Sequence, residues 1–219
     1  FTPKARQHIR GMGIVLLVSL LYLGWATWRD VRFVTSELDR LAVQGDHVLQ
    51  LVVVIPDKEE GTMYANAKKE AASLAAHGAQ VTLFHLEDRS SPWRLWRSRA
   101  KLKRLLQRTR PDVVHVHYGS VAGLFTVLAS AVPVVVTFVG DDLDRRSVPG
   151  IIRPWLGKLF SQLSAFFAAG IICRDEAVRS MLWWRSAEAF VLKDGHNGNE
   201  VDLTLAHLRS VAMHKPTGA

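Results

Sequence analysis

Two patterns of hydrophobic and polar positions alternate along residues 48–192. Short apolar runs rich in Val and Ile predict strands, at residues 48–55, 81–86, 113–117, 134–138, 171–173 and 190–192. Between them, apolar residues spaced three and four apart predict helices, at residues 64–77, 92–108, 121–130, 151–167 and 175–183. This alternation is typical of an α/β fold with a Rossmann-like, doubly wound parallel sheet.

The N-terminal segment, residues 1–46, has a different character. Lys4, Arg6 and Arg10 precede an uncharged apolar stretch of 18 residues, 11–28. That length is the lower limit for crossing a bilayer, so the stretch predicts either a membrane anchor with its basic flank in the cytoplasm or an extra hydrophobic helix packed on the domain or in an oligomer. We therefore divide the chain into this basic, hydrophobic helical segment, a domain at residues 47–193, and a tail or the start of an interdomain linker at residues 194–219.

Composition supports a single folded domain. The 219 residues are 48% hydrophobic, which is enough to bury one full core. The single cysteine, Cys173, excludes an intramolecular disulfide and fits a reducing compartment. Because Cys173 ends an apolar run, a packed core thiol is favoured over a nucleophile.

The formal net charge of +8 is concentrated between Arg89 and Arg110, which hold nine Lys and Arg and no acidic residue. Helical spacing places four leucines on one face, at Leu95, Leu102, Leu105 and Leu106. The opposite face carries Arg94, Arg97, Lys101, Arg104 and Arg108, with Trp93 at its edge. Trp93, Arg94, Arg97, Lys101 and Arg104 suit contact with an anionic membrane, although a solvated basic face has the same pattern. No nucleic-acid-binding motif accompanies these residues, so nucleic acid is not a predicted partner.

Two predicted strands stop abruptly at small, polar and acidic residues. Residues 110–119 read Arg-Pro-Asp-Val-Val-His-Val-His-Tyr-Gly, and residues 134–142 read Val-Val-Val-Thr-Phe-Val-Gly-Asp-Asp. Ligands of open α/β sheets bind outside the carboxyl ends of the strands, so both ends are expected to border a cleft. Alternatively, Asp141 or Asp142 caps the next helix and His117 satisfies a backbone carbonyl.

His115 and His117 are two residues apart in one predicted strand and should point to the same face. Two imidazoles do not make a zinc site, and local spacing offers no third ligand. We therefore predict no metal site from the sequence.

Several segments together resemble the N-terminal half of a family 4 glycosyltransferase of GT-B fold. They are the first strand with its Gly-containing loop, the helix end Ala-Ala-His-Gly-Ala-Gln-Val-Thr at residues 75–82, and the two motifs at residues 110–117 and 137–142. The resemblance implies an acceptor-binding domain whose partner domain binds the nucleotide sugar through a Glu-x7-Glu element. The chain ends before such a domain, so we expect it to be inactive alone. It departs from the family at Val139, at Gly61, which stands without a second glycine, and at residues 193–197.

The resemblance also implies a function. It is the transfer of a sugar from a nucleotide-sugar donor to a glycan, lipid-linked or small-molecule acceptor, with retention of stereochemistry and without a further cofactor. The implied catalytic residues are Asp141, Asp142 and His117, and the implied substrate-binding residues are Glu60, Gly61, Tyr118, Gly119 and Gly140. The expected location is cytoplasmic, at or anchored in the inner face of a membrane. The alternative is a non-enzymatic, membrane-associated binding module. A Rossmann oxidoreductase is disfavoured because residues 56–63 lack Gly-x-Gly-x-x-Gly.

Overall fold

The structure, a computed structural model, describes residues 48–62, 64–87, 91–140, 143, 152–192 and 200–213. The N-terminal segment with its predicted apolar helix lies outside these residues, as do Asp141 and Asp142. Across the described part of the chain, every helix is too short or too polar to cross a membrane.

Six parallel strands form one sheet. They are β1 (Gln50–Ile55), β2 (Gln80–His85), β3 (Val113–His117), β4 (Val134–Phe138), β5 (Gly170–Cys173) and β6 (Phe190–Val191). Their order is β2-β1-β3-β4-β5-β6, and every neighbouring pair is parallel. All residues of β3 and β4, the two central strands, are buried, as expected for strands covered on both faces. The predicted strands and the Rossmann-like α/β class are confirmed.

Helices cover both faces of this sheet. They are α1 (Ala65–Ala76), α2 (Pro92–Thr109), α3 (Leu124–Ala129), α4 (Ile152–Phe167), α5 (Glu176–Ser180) and α6 (Glu200–Met213); a π-helical turn, Gly119–Gly123, leads into α3, and a 3-10 turn, Ser186–Glu188, precedes β6. Buried side chains of α1 and α6 form one core with the sheet, and those of α2 to α5 form the other. The sheet is therefore doubly wound.

Alternation along the strands assigns each side chain to one of these two cores. In β3, Val114 and Val116 belong to the core under α2, α3 and α4, while Val113 belongs to the core under α1 and α6. His115 and His117 share the parity of Val113. Both imidazoles therefore face α1 and α6, as the sequence predicted for a common face.

Two helices differ from the sequence prediction. Helix α6 was not predicted, because its pattern is irregular: Leu203 is 46% exposed whereas Thr204 is buried. The predicted helix at residues 175–183 ends earlier, at Ser180. The buried Gln162 side chain accepts from the Trp183 backbone N–H at 2.8 Å and donates to the Met181 carbonyl at 3.0 Å, so it provides the hydrogen bonds that another helical turn would otherwise make.

Candidate functional site

The sheet has a topological switch point between β1 and β3. The chain leaves β1 toward β2 on one side and returns to β3 on the other, so the connections after these neighbouring strands diverge. Such a divergence opens a crevice at the carboxyl ends of the two strands, which is the usual ligand site of open α/β sheets. We call this the switch-point crevice; the loop at residues 56–62 and the turn at residues 118–123 border it.

The loop after β1 is held by a lysine of α1. The Lys68 ammonium donates to the carbonyl oxygens of Lys58 at 3.1 Å, Glu59 at 2.6 Å and Gly61 at 2.6 Å. Three carbonyls on one cation fix the path of the loop beside the crevice. Within it, the Glu60 side chain is exposed and Gly61 is half-buried.

Tyr118 begins the other border of the crevice with an unusual backbone. Its φ of 72° and ψ of 119° lie in a region that non-glycine residues rarely adopt. Its N–H donates to the Thr137 carbonyl at 2.9 Å, and its ring meets the Tyr64 ring edge-on with centroids 4.8 Å apart. Tyr64 lies directly before α1, so the two rings connect the β1 side of the crevice to the β3 side. Backbone strain of this kind often accompanies functional sites.

Two glycines from the predicted site are required by the packing of the protein itself. A Cβ on Gly119 would collide with the Phe138 ring, and the Gly119 carbonyl accepts from the Ser164 hydroxyl of α4. Gly140 has φ +117°, and its carbonyl accepts from the Leu143 N–H at 2.9 Å. Both backbones therefore lie close to neighbouring elements at the carboxyl edge of the sheet.

His117 lies beneath the crevice. Its side chain is 3% exposed, and its Nε2 is 3.8 Å from Oε2 of Glu70 on α1, whose side chain is 27% exposed. Burial lowers the pKa of His117 to about 4. Burial, and secondarily the charge of Glu200, raises the pKa of Glu70 to about 7. The two side chains are therefore neutral together over the weakly acidic range.

His115 is fully buried and lies two residues before His117 on β3. Its Nε2 lies 2.7 Å from the Thr137 hydroxyl, and the two imidazole centroids are 4.5 Å apart. Burial, and then the neighbouring His117 and His207, lowers the pKa of His115 well below its ordinary value. Three potential ligand groups, on Glu70, His115 and His117, lie within 4.8 Å of one another.

The remaining predicted residues divide into those that the structure places and those that it does not describe. Asp141 and Asp142 lie outside the described residues. Trp93, Arg94, Arg97, Lys101 and Arg104 are all exposed on α2. The Arg97 guanidinium lies over the Trp93 ring at 5.5 Å from its centroid. Leu102 and Leu106 are buried in the core and Leu95 and Leu105 pack against it, as predicted. Cys173 is a buried core thiol, also as predicted.

Sequence reasoning missed the contributions of α1 to this region. Ala67, Ala71 and Leu74 form the buried face of α1. Glu70 is three residues after Ala67 and four before Leu74, so it lies on the same face. An acidic residue on a buried helical face was the available signal for Glu70. Nothing in the local pattern indicated the three contacts of Lys68, since they depend on the conformation of the loop.

The fold and the switch-point crevice together define a Rossmann-like α/β domain of the kind that binds ligands at the carboxyl edge of its sheet. Residues 24–184 match the family model described as a glycosyl transferase 4-like domain. The chain belongs to this family. No protein in the curated set matches the sequence.

Solved structures that align with part of this chain include the following three. UDP-N-acetylglucosamine 2-epimerase from Rickettsia bellii aligns with a TM-score of 0.51 and 14% identity over 73% of this chain and 48% of that one. The Neisseria meningitidis UDP-GlcNAc 2-epimerase, bound to UDP-GlcNAc, aligns with a TM-score of 0.49 and 15% identity over 65% and 45%. A Glycyrrhiza uralensis UGT73P12 complexed with glycyrrhetinic acid 3-O-monoglucuronide aligns with a TM-score of 0.45 and 12% identity over 75% and 55%. The chain spans about half the length of these proteins. The likeness to the Rickettsia enzyme shows the GT-B type of fold.

Proposed function

We propose that this chain is the acceptor-side domain of a glycosyltransferase that moves a sugar from a nucleotide-sugar donor to a glycan, lipid-linked or small-molecule acceptor. Membership of the glycosyl transferase 4-like family makes glycosyl transfer the general activity. The observation that supports the acceptor-side role is the switch-point crevice, where the loop held by Lys68 faces the strained Tyr118 turn.

The crevice offers groups suited to sugar hydroxyls. In this proposal the Glu60 carboxylate, the Tyr118 side chain and the backbone at Gly61, Gly119 and Gly140 contact the acceptor. Asp141 and Asp142 follow β4, next to β3, and orient the attacking hydroxyl. Because the His117 side chain is only 3% exposed, we propose that it positions the backbone of Tyr118 and does not contact the acceptor directly.

The donor completes the proposal. A nucleotide sugar would bind mainly to a second domain across the cleft, consistent with a chain that spans about half the length of its structural neighbours. Transfer would retain the configuration of the sugar, and no cofactor beyond the nucleotide sugar is required. Tested in isolation from such a second domain, this chain should show neither sugar transfer nor tight binding of a nucleotide sugar.

Amide chemical shifts on titration provide the test. Octyl glucoside below its micellar concentration and a short oligosaccharide serve as acceptor probes, with UDP-glucose and GDP-mannose as donor probes. We expect acceptor probes to shift the amides of Gly61, Tyr118 and Gly119, and donor probes to bind weakly. Shifts confined to other surfaces, or micromolar binding of a donor probe, would contradict the acceptor-side role.

A matched pair of variants makes the test specific. Glu59 and Glu60 are adjacent, and both are exposed in the same loop. Glu60→Gln should weaken binding of the acceptor probe by about tenfold, the loss of one charge-assisted hydrogen bond. Glu59→Gln should leave it unchanged. Equal effects of the two substitutions would remove Glu60 from the proposed site.

A second candidate, a non-enzymatic binding module at an anionic membrane, is favoured by one observation. The basic face of α2 is exposed and carries two exposed tryptophans, Trp93 at 63% and Trp96 at 52%. Tryptophan with arginine is typical of the headgroup region of membranes. Membrane contact is compatible with either candidate, so the acceptor titration distinguishes the enzyme domain from the module.

A further inference from the structure

We propose that Glu70, His115 and His117 bind one divalent transition-metal ion of the zinc type, which ties α1 to β3 beneath the switch-point crevice. Potential ligand atoms of the three side chains all lie within 4.8 Å of one another. The third ligand that local spacing did not offer comes from a helix 45 residues earlier in the chain than His115. This site does not depend on the proposed function.

The first argument is that polar atoms converge there without hydrogen-bond partners. Nε2 of His117, Nδ1 of His115 and Oε1 of Glu70 are buried atoms with no hydrogen-bond partner among the residues that the structure describes. Buried polar atoms are nearly always satisfied by protein, water or an ion. The three side chains lie on α1 and β3 with potential ligand atoms within 4.8 Å of one another, so one ion could satisfy them together.

The second argument is distance. Nε2 of His117 and Oε2 of Glu70 are 3.8 Å apart, which is too long for a direct hydrogen bond. Two ligands that each lie about 2.0–2.1 Å from a tetrahedral ion are separated by roughly 3.3–3.4 Å. A shift of about half an ångström in the flexible Glu70 side chain would bring this pair to the spacing of two ligands on one ion.

The third argument is the orientation of His115. Its Nε2 lies 2.7 Å from the Thr137 hydroxyl on β4, and its Nδ1 has no hydrogen-bond partner within the described part of the chain. With the proton on Nε2, the ring donates to Thr137 and presents the lone pair of Nδ1 to the ion. Metal-binding histidines are commonly held in this way by a polar group on their second nitrogen.

The donor set defines the class of ion. Two imidazole nitrogens and one carboxylate oxygen suit Zn²⁺, Co²⁺ or Fe²⁺, whereas Mg²⁺ and Ca²⁺ prefer oxygen ligands alone. The Glu70 side chain is 27% exposed and that of His117 only 3%, so an ion would enter from the Glu70 side. A fourth position remains for water on that side.

Such an ion would act on the crevice through the backbone. His117 directly precedes Tyr118, whose φ of 72° shapes the border of the crevice. Glu70 lies on the same helix as Lys68, which holds the opposite loop. Fixing Glu70 to His117 would therefore fix both borders of the crevice relative to one another.

The experiment uses the full chain, freed of metal by a chelator and titrated with Co²⁺, whose visible absorption distinguishes tetrahedral from octahedral coordination. We expect one tetrahedral Co²⁺ per chain, displaced by Zn²⁺ and not by Mg²⁺. Glu70→Gln and His117→Asn should each weaken binding by more than about a hundredfold, and Thr137→Val, which removes only the partner of His115, by about ten- to a hundredfold. His77→Gln, which removes an exposed histidine, should change nothing.

A direct measurement protects the test against variants that do not fold. Nitrogen chemical shifts of the wild-type imidazoles should change on Zn²⁺ addition at Nδ1 of His115 and at Nε2 of His117. If Zn²⁺ and Co²⁺ do not bind, or if these shifts stay constant while ions bind elsewhere, water alone fills the space and the proposal is wrong. Octahedral Co²⁺ binding that persists in folded Glu70→Gln protein would also show that the proposal is wrong.

Discussion

The Asp57 carboxylate lies where a side chain on Gly61 would have to be. A Cβ built on Gly61 would overlap the carboxylate, whose Oδ1 accepts from the Lys58 N–H at 2.8 Å. Gly61→Ala should therefore push Asp57 out and disturb the loop. We expect a loss of about 1–2 kcal/mol in the free energy of unfolding, toward the low end for overpacking because the loop is partly exposed. Chemical denaturation measures it.

Two controls show whether the collision is the cause. Asp57→Ala in the Gly61→Ala background removes the obstructing carboxylate and should recover much of the loss, as a double-mutant cycle would show. Gly157 lies in α4, and among the described residues no atom beyond its chain neighbours and the local helix backbone lies within 4 Å of a built Cβ. Gly157→Ala should stabilise the protein by up to about 1 kcal/mol through helix propensity. A Gly61→Ala loss that Asp57→Ala leaves unchanged would contradict the explanation.

Lys68 should control the order of the same loop. Lys68→Met keeps the aliphatic stem and removes three hydrogen bonds to the carbonyls of Lys58, Glu59 and Gly61. We expect amide exchange in the loop to accelerate by about tenfold or more, since charge-assisted bonds are lost. Lys69→Met changes an exposed neighbour on the same helix and is the matched control. Similar exchange in both variants would show that Lys68 does not hold the loop.

The sheet was predictable because its information is local. Runs of Val and Ile specify buried strands, and alternation within β3 correctly placed His115 and His117 on one face. The leucine face of α2 was predictable for the same reason, since a period of about 3.6 residues separates core from solvent.

The site was less predictable because its contacts join distant segments. Glu70 approaches His117 only after α1 packs on the sheet, and Ser164 of α4 donates to the Gly119 carbonyl, 45 residues earlier in the chain. The positive φ of Tyr118 has no sequence signal, because tyrosine rarely adopts it. Packing between distant segments decides each of these features, and such packing cannot be predicted from a local pattern along the chain.

His207 on α6 should make stability depend on pH. Burial lowers its pKa below 6.5, and its ring stacks on Phe190 with centroids 5.0 Å apart. Between the lowered pKa and 6.5 the unfolded chain binds more protons than the folded chain, so this group's contribution to stability falls as pH falls through that window. His207→Gln removes the contribution. Relative to the wild type, the free energy of unfolding of the variant should therefore be higher at acidic pH than at neutral pH.

The measurement is denaturant unfolding of both proteins, free of metal, at several pH values. The difference in unfolding free energy should change by less than about 1.4 kcal/mol for each unit of pKa shift, because solvent screens a half-buried ring. His77→Gln, at an exposed position, is the control for the loss of an imidazole. A difference that is constant with pH would show that His207 titrates alike in the folded and unfolded chains.

The basic face of α2 should bind anionic membranes in a salt-dependent way. Arg97, Lys101 and Arg104 are exposed on α2, on the side of the sheet opposite α1 and α6. Each basic residue near an anionic surface contributes about 1 kcal/mol, so reversing all three to Glu should weaken partitioning by roughly a hundredfold or more. Reversing Lys58, Lys69 and Arg209, exposed residues outside α2, changes the net charge equally and is the matched control.

Sedimentation with phosphatidylglycerol and phosphatidylcholine vesicles measures binding at increasing salt. Above physiological ionic strength the screening length falls below about 8 Å, so binding through the basic face should weaken. If the two triple variants lose binding equally, net charge alone is responsible; if neither loses it, the basic face of α2 is a solvated surface and the apolar N-terminal stretch must account for any binding that remains.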